Sequence, residues 1–441
     1  MSRLSVLASI FAVLAFFAWR NGRAWRAFII STPDFPVGYY ADGDHTAQCE
    51  IVRDEPGNDL KFCEDATFWD RVDDAGGLQD RILLMSCDPG RRKWNTVMGP
   101  LHDPVPAGAL WVHRTRDATG RPQRVVFEKY PQGHDFHPLG AEVYPSHPGK
   151  ASNLFVVNHA RRETTIEQFT MQWDTPTRAT WVRTLSSPYF VSPNALALTS
   201  PTSFYVTNDH LLTRRLPSVL GQTLPLAETL LGLPLGWLAH VTVNDPAPGE
   251  APTITHSLAR LGIPFANGVS ISPDGTTVAV ASTSLGQVLF YTRNASSNAL
   301  APAARVPMPF TPDNIAFDDA GALLVAGHPH FPSLTAVARS VAGARAPSWA
   351  MALTPRPQAP AGAALPDAYD ARAPVPAARK APPARSHEAQ TLYQSDGTAF
   401  SSSSTALRDA TTGRLYVTGL YEEGFLVCAP DKASRGARAR G

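Results

Sequence analysis

Residues 267–282 read NGVSISPDGTTVAVAS, and this stretch carries the pattern that decides the fold. A polar residue opens it, alternating apolar residues follow, SPDG supplies a tight turn, and a second alternating run begins after the turn. The same order recurs from Asn194 (NALALTSPTSFYVTND) and from Asn314 (NIAFDDAGALLVAG). A strand–turn–strand unit that recurs along a chain is typical of repeat architectures.

Three looser copies of this unit complete the series. They start at Glu64 (EDATFWD, then RILLMSC), at Leu139 (LGAEVYP, then NLFVVNH) and near Ser403 (SSTALRDATTGRLYVTG). The six starts are unevenly spaced, but the spacing fits propeller blades of roughly 40 to 50 residues with insertions. The sequence therefore predicts an all-β fold, a six-bladed β-propeller over residues 31–441.

Composition excludes several functional classes. The chain has 441 residues, 44% of them apolar, and 40 prolines, which suits many short strands better than long helices. Its 39 basic and 38 acidic residues leave a net charge of +1, so nucleic acid is not an expected partner. The sequence contains no GxSxG, HExxH, GxGxxG or Walker motif, which argues against serine hydrolase, metalloprotease, dinucleotide and nucleotide chemistry.

The N-terminus predicts a targeting segment over residues 1–30. Residues 4–19, LSVLASIFAVLAFFAW, are almost wholly apolar, but these 16 residues fall short of a full membrane span. We expect a hydrophobic helix that is an uncleaved signal anchor, with a cleaved signal peptide as the alternative. The positive-inside rule, applied to Arg20, Arg23 and Arg26, would leave the body of the protein in the cytosol. The cysteines and the Asn294 glycosylation sequon favour the secretory pathway, with the protein lumenal or extracellular and either membrane-anchored or secreted.

Four cysteines are present. Cys49 and Cys428 lie near the two ends of the predicted propeller, where a disulfide would join the first strand to the last and close the ring. In the chain-entropy model such a bridge stabilises the fold by about 5 kcal/mol. Cys63 and Cys87 are a second bridge or two buried thiols, and we favour thiols slightly.

The first residues of the repeats predict a metal site. In a propeller the innermost strand of each blade begins at the central channel, so these side chains converge on one point. Carboxylate and amide oxygens without sulfur or imidazole are the ligands of Ca²⁺ rather than of zinc or a redox metal. The alternative is that Asn and Asp open these strands only because they favour turns. The predicted donors are Glu64, Asn194, Asn267, Asp313 and Asn314.

Two segments stand outside the repeats. Residues 341–386 are rich in Pro and Ala and predict a flexible insertion between the fifth and sixth blades. Residues 216–241 are apolar and compatible with a helix on one face of the propeller. That helix would cover the core, or it would serve as a lid or a membrane-contact surface.

Several of these motifs together resemble the paraoxonase and arylesterase family, of which the chain would be a divergent, fungal-type member. The resemblance extends from about Cys49 to Cys428 outside the insertion and implies a six-bladed propeller with calcium-dependent lactonase and arylesterase activity. NGVSISPDG alone is also shared with gluconolactonase-like and strictosidine-synthase-like propellers. The strongest matches are FCED at 62–65, LFVVNH at 154–159, FYVTNDH at 204–210, FANGVSISPDG at 265–275 and PDNIAFD at 312–318.

The resemblance also implies roles for single residues. It assigns the catalytic calcium to the five donors named above. A second, structural calcium would use Asp65, the Ala141 carbonyl and an aspartate whose position here holds Ala195, so we expect a much lower affinity for this second ion. The pocket would be lined by Leu139, His210, Phe265 and His328.

The proton-transfer residues depart from the family pattern. Of the family's histidine pair, His159 matches the second member, whereas Leu139 stands in place of the first. His137 lies close by and is an alternative, although Pro138 restricts the backbone before it.

The expected function is calcium-assisted hydrolysis of a lactone or aryl ester. His159 would act as general base, and Glu64 or Asp313 is the alternative base. A second hypothesis is a membrane-anchored calcium-binding propeller that has lost turnover and binds a hydrophobic ligand or a protein. A third is a condensing enzyme of the strictosidine-synthase type.

Overall fold

A computed structural model describes residues 3–55, 59–103, 105, 107–117, 120–244, 253–356 and 370–431. Its strands form six sheets of four or five strands each, which confirms the predicted six-bladed propeller. Within each blade the strands are antiparallel, except that the second blade gains one short parallel strand on its outer edge.

An N-terminal segment precedes the first blade. It comprises helix α1 (Arg3–Arg20), helix α2 (Gly22–Trp25), a π-helical turn (Arg26–Ile30), strand β1 (Tyr39–Tyr40), helix α3 (His45–Gln48) and strand β2 (Cys49–Val52).

The first three blades follow in chain order. Blade one consists of β3 (Cys63–Val72), β4 (Leu78–Cys87), β5 (Ala109–Arg114) and β6 (Gln123–Arg124). Blade two consists of β7 (Val126–Glu128), β8 (Pro138–Val143), β9 (Ser152–Asn158), β10 (Thr165–Met171) and β11 (Arg178–Leu185). Blade three consists of β12 (Pro193–Ser200), β13 (Ser203–Asn208), β14 (Gly236–Asn244) and β15 (Thr253–Ile263), with helix α4 (Ser218–Leu231) inserted before β14.

The last three blades use the N-terminal strands as well. Blade four consists of β16 (Ala266–Ile271), β17 (Thr277–Ser282), β18 (Gln287–Arg293) and β19 (Leu300–Pro307). Blade five contains β20 (Thr311–Phe317), β21 (Leu323–His328), helix α5 (Phe331–Ala338), β22 (Ser348–Pro355), a 3₁₀ turn (Ala377–Arg379) and β23 (His387–Ser395), and β1 extends its outer edge. Blade six consists of β24 (Ser403–Arg408), β25 (Leu415–Gly419), β26 (Phe425–Cys428) and the N-terminal β2.

The core lies between adjacent blades. Alternate residues of each strand point to opposite faces of the sheet, so both faces of a blade bury side chains against its neighbours. Trp69 and Leu84 of blade one, for example, pack in one fully buried cluster with Val156 and Phe169 of blade two. This packing fixes the angle between blades and thereby the position of every innermost strand.

The ring closes through its chain ends, as predicted. Strand β2 pairs with β26 in antiparallel register, with Cys49 opposite Cys428, and the two form a disulfide. The expectation that Cys63 and Cys87 are thiols is wrong, because they also form a disulfide. The register of β3 and β4 places these two cysteines directly opposite each other, a pairing that sequence spacing alone does not reveal.

Two predictions about segments need correction. Residues 348–355, assigned to the Pro/Ala-rich insertion, form the third strand of blade five, so the insertion lies inside that blade rather than after it. Residues 357–369 of the insertion lie outside the described residues. The predicted helix at 216–241 stops at Leu231, since Gly232 ends it in a left-handed conformation and residues 236–241 enter β14.

The apolar N-terminal residues form helix α1, as predicted, but no helix in the described part of the chain has the length and hydropathy needed to cross a bilayer. The residues after α1 dock on the propeller. The Trp25 indole N–H donates to the Leu230 carbonyl at the end of α4 (2.5 Å), and the Arg23 guanidinium donates to the Leu285 carbonyl (3.1 Å). These contacts hold the base of α1 beside α4.

Candidate functional site

Residues at the start of five of the six innermost strands line one cavity, and those of blade six do not. All six of these strands show a break in pairing register at their first residues, the signature of β-bulges. A bulge re-aims the side chains that follow it, and here these lie at the channel end of each strand. The cavity has a volume of about 90 Å³, and its polar lining includes Glu64, Asn194, Asn267 and Asp313.

The three predicted asparagines use their amide nitrogens within the protein. Asn194 Nδ2 donates to Asp209 (3.2 Å), Asn267 Nδ2 donates to Asp313 Oδ1 (2.6 Å), and Asn314 Nδ2 donates to Glu64 Oε1 (3.1 Å). Their three Oδ1 atoms, together with Glu64 Oε2, are buried without a hydrogen-bond partner among the described residues. Buried polar atoms normally have partners, so four unpartnered oxygens from four predicted donors fit the coordination of a cation.

The electrostatics of the site point the same way. Burial raises the pKa of Glu64 well above its usual range, and the nearby carboxylates of Asp313 and Asp65 raise it further. The Arg91 guanidinium opposes this shift only in part. A cation bound beside the Glu64 carboxylate would offset this cost of burying its charge.

These residues fit a hard divalent cation. Two carboxylates and three amides form the all-oxygen donor set that Ca²⁺ accepts, with water completing the coordination. No cluster of three or more His, Cys, Asp or Glu side chains suited to a metal occurs in the described ranges. This does not conflict with the fit, because the present set contains only two carboxylates and depends on amide oxygens.

His159 lines the same cavity but has no free ring nitrogen. Its Nε2 bonds to the Pro193 carbonyl (2.7 Å), and its Nδ1 bonds to the Thr96 hydroxyl. Burial lowers the pKa of His159 to about 4, against the opposing effect of the Pro193 carbonyl. To act as a general base, His159 would first have to release the Thr96 hydroxyl.

Two other cavity histidines are each paired with an aspartate and keep one nitrogen free. His137 Nδ1 bonds to Asp88 Oδ2 at 2.9 Å, and its Nε2 lies 3.7 Å from Asp135 without a hydrogen bond. His328 Nε2 bonds to Asp313 Oδ2 at 2.9 Å, and its Nδ1 has no partner among the described residues. Each pair has the arrangement in which a carboxylate orients an imidazole for proton transfer.

Comparison with known proteins identifies the family. The arylesterase family model matches residues 107–341, more than half of the chain. The chain belongs to the arylesterase family. It is 28% identical to human serum paraoxonase/arylesterase 1 and 29% identical to the mouse protein, in each case over 196 residues, 44% of this chain and 50% of the relative. The chain thus spans about half the length of the curated relatives it matches.

Two solved structures match more remotely. A luciferin-regenerating enzyme is 10% identical over 86% of this chain and 95% of its own, with a TM-score of 0.41. A gluconolactonase from Xanthomonas campestris is 14% identical over 91% of this chain and 99% of its own, with a TM-score of 0.36. Neither likeness carries an argument about activity.

The second calcium site suggested by the arylesterase resemblance does not fit the residues present. One Asp65 oxygen accepts hydrogen bonds from the Ala66 N–H (2.8 Å) and the Thr405 hydroxyl (3.2 Å), and the other accepts from the Ala141 N–H (3.0 Å). Asp65 is therefore supplied with donors by the protein itself, and Ala195 offers no second carboxylate. Burial raises the pKa of the Asp65 carboxyl to about 7.

Three of the four predicted pocket residues line the cavity. Leu139, Phe265 and His328 line the cavity, whereas His210 lies behind Phe265, with ring centroids 4.5 Å apart. His210 is held by Asp209 (3.1 Å) and by Thr229 of α4 (2.8 Å), so α4 covers this side of the cavity.

Sequence reasoning missed Asp88 and Arg91, which both line the cavity. They belong to the segment CDPGRR after β4, where the Pro-Gly pair signals only a turn. Arg91 donates to the Pro138 carbonyl (2.9 Å) and the Phe62 carbonyl (3.4 Å), which fixes its guanidinium at the cavity wall.

The predicted glycosylation site, Asn294, is exposed in the turn after β18, and glycosylation there stays a prediction.

Proposed function

We propose that the chain is a calcium-dependent hydrolase of lactones or aryl esters. The observation that carries the proposal is the group of four buried oxygens without partners, contributed by Glu64, Asn194, Asn267 and Asn314. Membership of the arylesterase family supports a hydrolase of this general kind. When bound, Ca²⁺ would polarise the ester carbonyl and stabilise the negative charge that develops on its oxygen.

The chain's own residues would prepare the substrate. The hydrogen bonds of Asn194 and Asn267 lock their amide oxygens in one orientation, so little reorganisation is needed when charge develops. Phe265 and Leu139 supply apolar walls that exclude water from the reacting group.

The attacking water needs a base, and we propose His137 for this role. It is oriented by Asp88, which is not among the cation donors, and its Nε2 makes no hydrogen bond to the described residues. His328 is the second candidate, but its partner Asp313 is itself a proposed ligand. His159, the base expected from the resemblance, is held at both nitrogens.

The cation assignment is tested by Asn267→Ala and Asp313→Ala. Each variant removes one oxygen donor, so we expect calcium affinity to fall at least about tenfold and the calcium-dependent rise in melting temperature to shrink. Asn153→Ala, a partly buried asparagine of blade two away from the cavity, is the control. Unchanged calcium content in both site variants would refute the assignment.

The same protein tests turnover and the choice of base. Hydrolysis of a panel of lactones and aryl esters should disappear with chelator and return with calcium. His137→Gln should lower kcat about a hundredfold or more with calcium binding intact, as expected for loss of a general base. If only His328→Gln lowers kcat, the general base is His328 rather than His137.

A calcium-binding propeller without turnover is the second candidate function. The replacement of the family's first histidine by Leu139 and the two bonds that hold His159 favour it. Bound calcium with no hydrolysis across the panel would select this function.

We also propose that the protein occupies an oxidising compartment and contacts a membrane through α1. The two disulfides support the first part, because such bonds persist in secreted and extracellular proteins. Exposed apolar side chains on α1, including Phe11 and Trp19, support the second.

A further inference from the structure

A second cavity adjoins the inner one. It has a volume of about 300 Å³ and shares five lining residues with the 90 Å³ inner cavity, so the two cavities lie side by side. We call it the vestibule, and six of its lining residues are Met98, Arg214, Leu226, Phe331, Arg339 and Tyr421.

The inner cavity holds only the reacting part of a substrate. Its 90 Å³ is far below the few hundred Å³ of ordinary ligand pockets. The adjoining vestibule offers space for the remainder of a substrate. Vestibule chemistry then decides which esters or lactones the site accepts.

The vestibule is apolar with two cationic side chains. Its described lining residues include Arg214 and Arg339 but no Asp or Glu. No carboxylate lies within ion-pair distance of either arginine in the described part of the chain. Burial lowers the pKa of Arg214, and the nearby charge of Arg339 lowers it further, so the two guanidiniums repel each other.

Backbone carbonyls hold the Arg214 guanidinium in a fixed position. Its Nη2 donates to the Met98 carbonyl (2.7 Å) and its Nε donates to the Val97 carbonyl (3.3 Å). The guanidinium also packs against Gly99, where an added Cβ would lie 2.7 Å from Arg214 Nε. A partly buried cation that is fixed by carbonyls and has no counter-ion is arranged to receive an anion.

From this arrangement we infer that the vestibule binds a carboxylate on the substrate, separated by an apolar segment from the carbonyl that reacts in the inner cavity. The inference rests on the proposed hydrolase function and names its substrate class: esters or lactones whose distal end is anionic. Met98, Phe331 and Leu334, which line both cavities, would contact the apolar segment.

The test uses two substrates that differ in one charge. One is 4-nitrophenyl hydrogen adipate, and the other is its methyl ester, which carries the same reactive aryl ester without the carboxylate. We expect kcat/KM for the anionic substrate to exceed that for the neutral one by about tenfold to a hundredfold, the range of a charge-assisted hydrogen bond. The preference should diminish at high ionic strength, because Arg339 is exposed.

Arg214→Gln and Arg339→Gln should bring this ratio towards one while hydrolysis of the neutral ester persists. Arg339 makes no side-chain hydrogen bond to the described residues, so its variant remains informative if loss of Arg214 disturbs the 97–99 turn. Arg305→Gln, an exposed arginine on β19, is the matched control and should leave the ratio unchanged. A wild-type ratio near one, or a ratio unaffected by both variants, would overturn the inference.

A binding measurement separates failure of this inference from failure of the hydrolase proposal. Calorimetry with octanoate and with uncharged octanamide requires no turnover. Octanoate binding that Arg339→Gln weakens, in a protein that cleaves neither ester, would retain the anion site and reject the hydrolase. Equal binding of the two ligands, or binding of neither, would reject the anion site.

Discussion

At the scale of single residues, hydrogen bonds within the protein occupy both ring nitrogens of His159. LFVVNH predicts that this histidine reaches the pocket, and it does. The sequence could not reveal that Thr96, 63 residues earlier and in an irregular segment, would occupy one ring nitrogen. The site residues that follow from repeat positions could be predicted, whereas Asp88 and Arg91 could not, because they reach the cavity from a turn.

The buried His159 makes stability depend on pH. Its pKa is about 4 in the folded protein and about 6.5 when unfolded, so the unfolded chain binds the extra proton first as pH falls. His159 should therefore contribute nothing above pH 6.5 and destabilise the fold increasingly between pH 6.5 and 4, by up to about 3 kcal/mol.

Urea unfolding of wild type and His159→Gln at several pH values isolates this effect, since the contributions of buried carboxylates cancel in the difference. The wild type should lose stability relative to the variant as pH falls through this window. His102→Gln, an exposed histidine, is the control. Parallel pH curves for wild type and His159→Gln would contradict the prediction.

At the scale of strands, the bulges decide where the donors point. Apolar alternation and turn residues predicted all six innermost strands, because these signals are local. The bulges leave no comparable signature, since a register break depends on the partner strand. The strand Ser348–Pro355 was missed for a similar reason: its Pro- and Ala-rich surroundings concealed an eight-residue run that pairs on both sides.

Gly268 lies where the innermost strands of blades four and five approach each other closely. An added Cβ there would lie 2.7 Å from the Ile315 nitrogen and 2.8 Å from the Asn314 Cα, so the backbone that carries two donors would have to shift. Gly268→Ala should therefore destabilise the fold by about 1–3 kcal/mol and weaken calcium binding, although Gly268 offers no ligand.

Thermal unfolding and calcium titration measure both effects. Gly22→Ala, where an added Cβ would meet nothing within 4 Å, is the control. A Gly268→Ala protein with wild-type stability and affinity would show that blades four and five tolerate a wider gap.

At the scale of the whole molecule, ring closure depends on the chain ends. The pairing of Cys49 with Cys428 could be expected from their positions near the two ends of the repeats. The pairing of Cys63 with Cys87 could not, because their 24-residue separation fits either a bridge or two thiols until the register of β3 and β4 is known.

The two disulfides should differ in their contribution to stability. Cys49–Cys428 spans 379 residues and Cys63–Cys87 spans 24, so the chain-entropy model makes removal of the first costlier by about 2 kcal/mol. Chemical denaturation of the two double Cys→Ser variants compares them directly. A larger loss from Cys63→Ser/Cys87→Ser would mean that interactions in the folded state outweigh loop closure.

The disulfide between Cys49 and Cys428 also limits the effect of proteolytic cleavage. A single cut in any loop between these cysteines leaves two fragments that remain covalently joined across β2 and β26. The blades on either side of the cut still meet their neighbours around the ring, so the nicked molecule keeps every interface between blades. Two cleavages, or one cleavage together with reduction, are needed before a fragment can diffuse away.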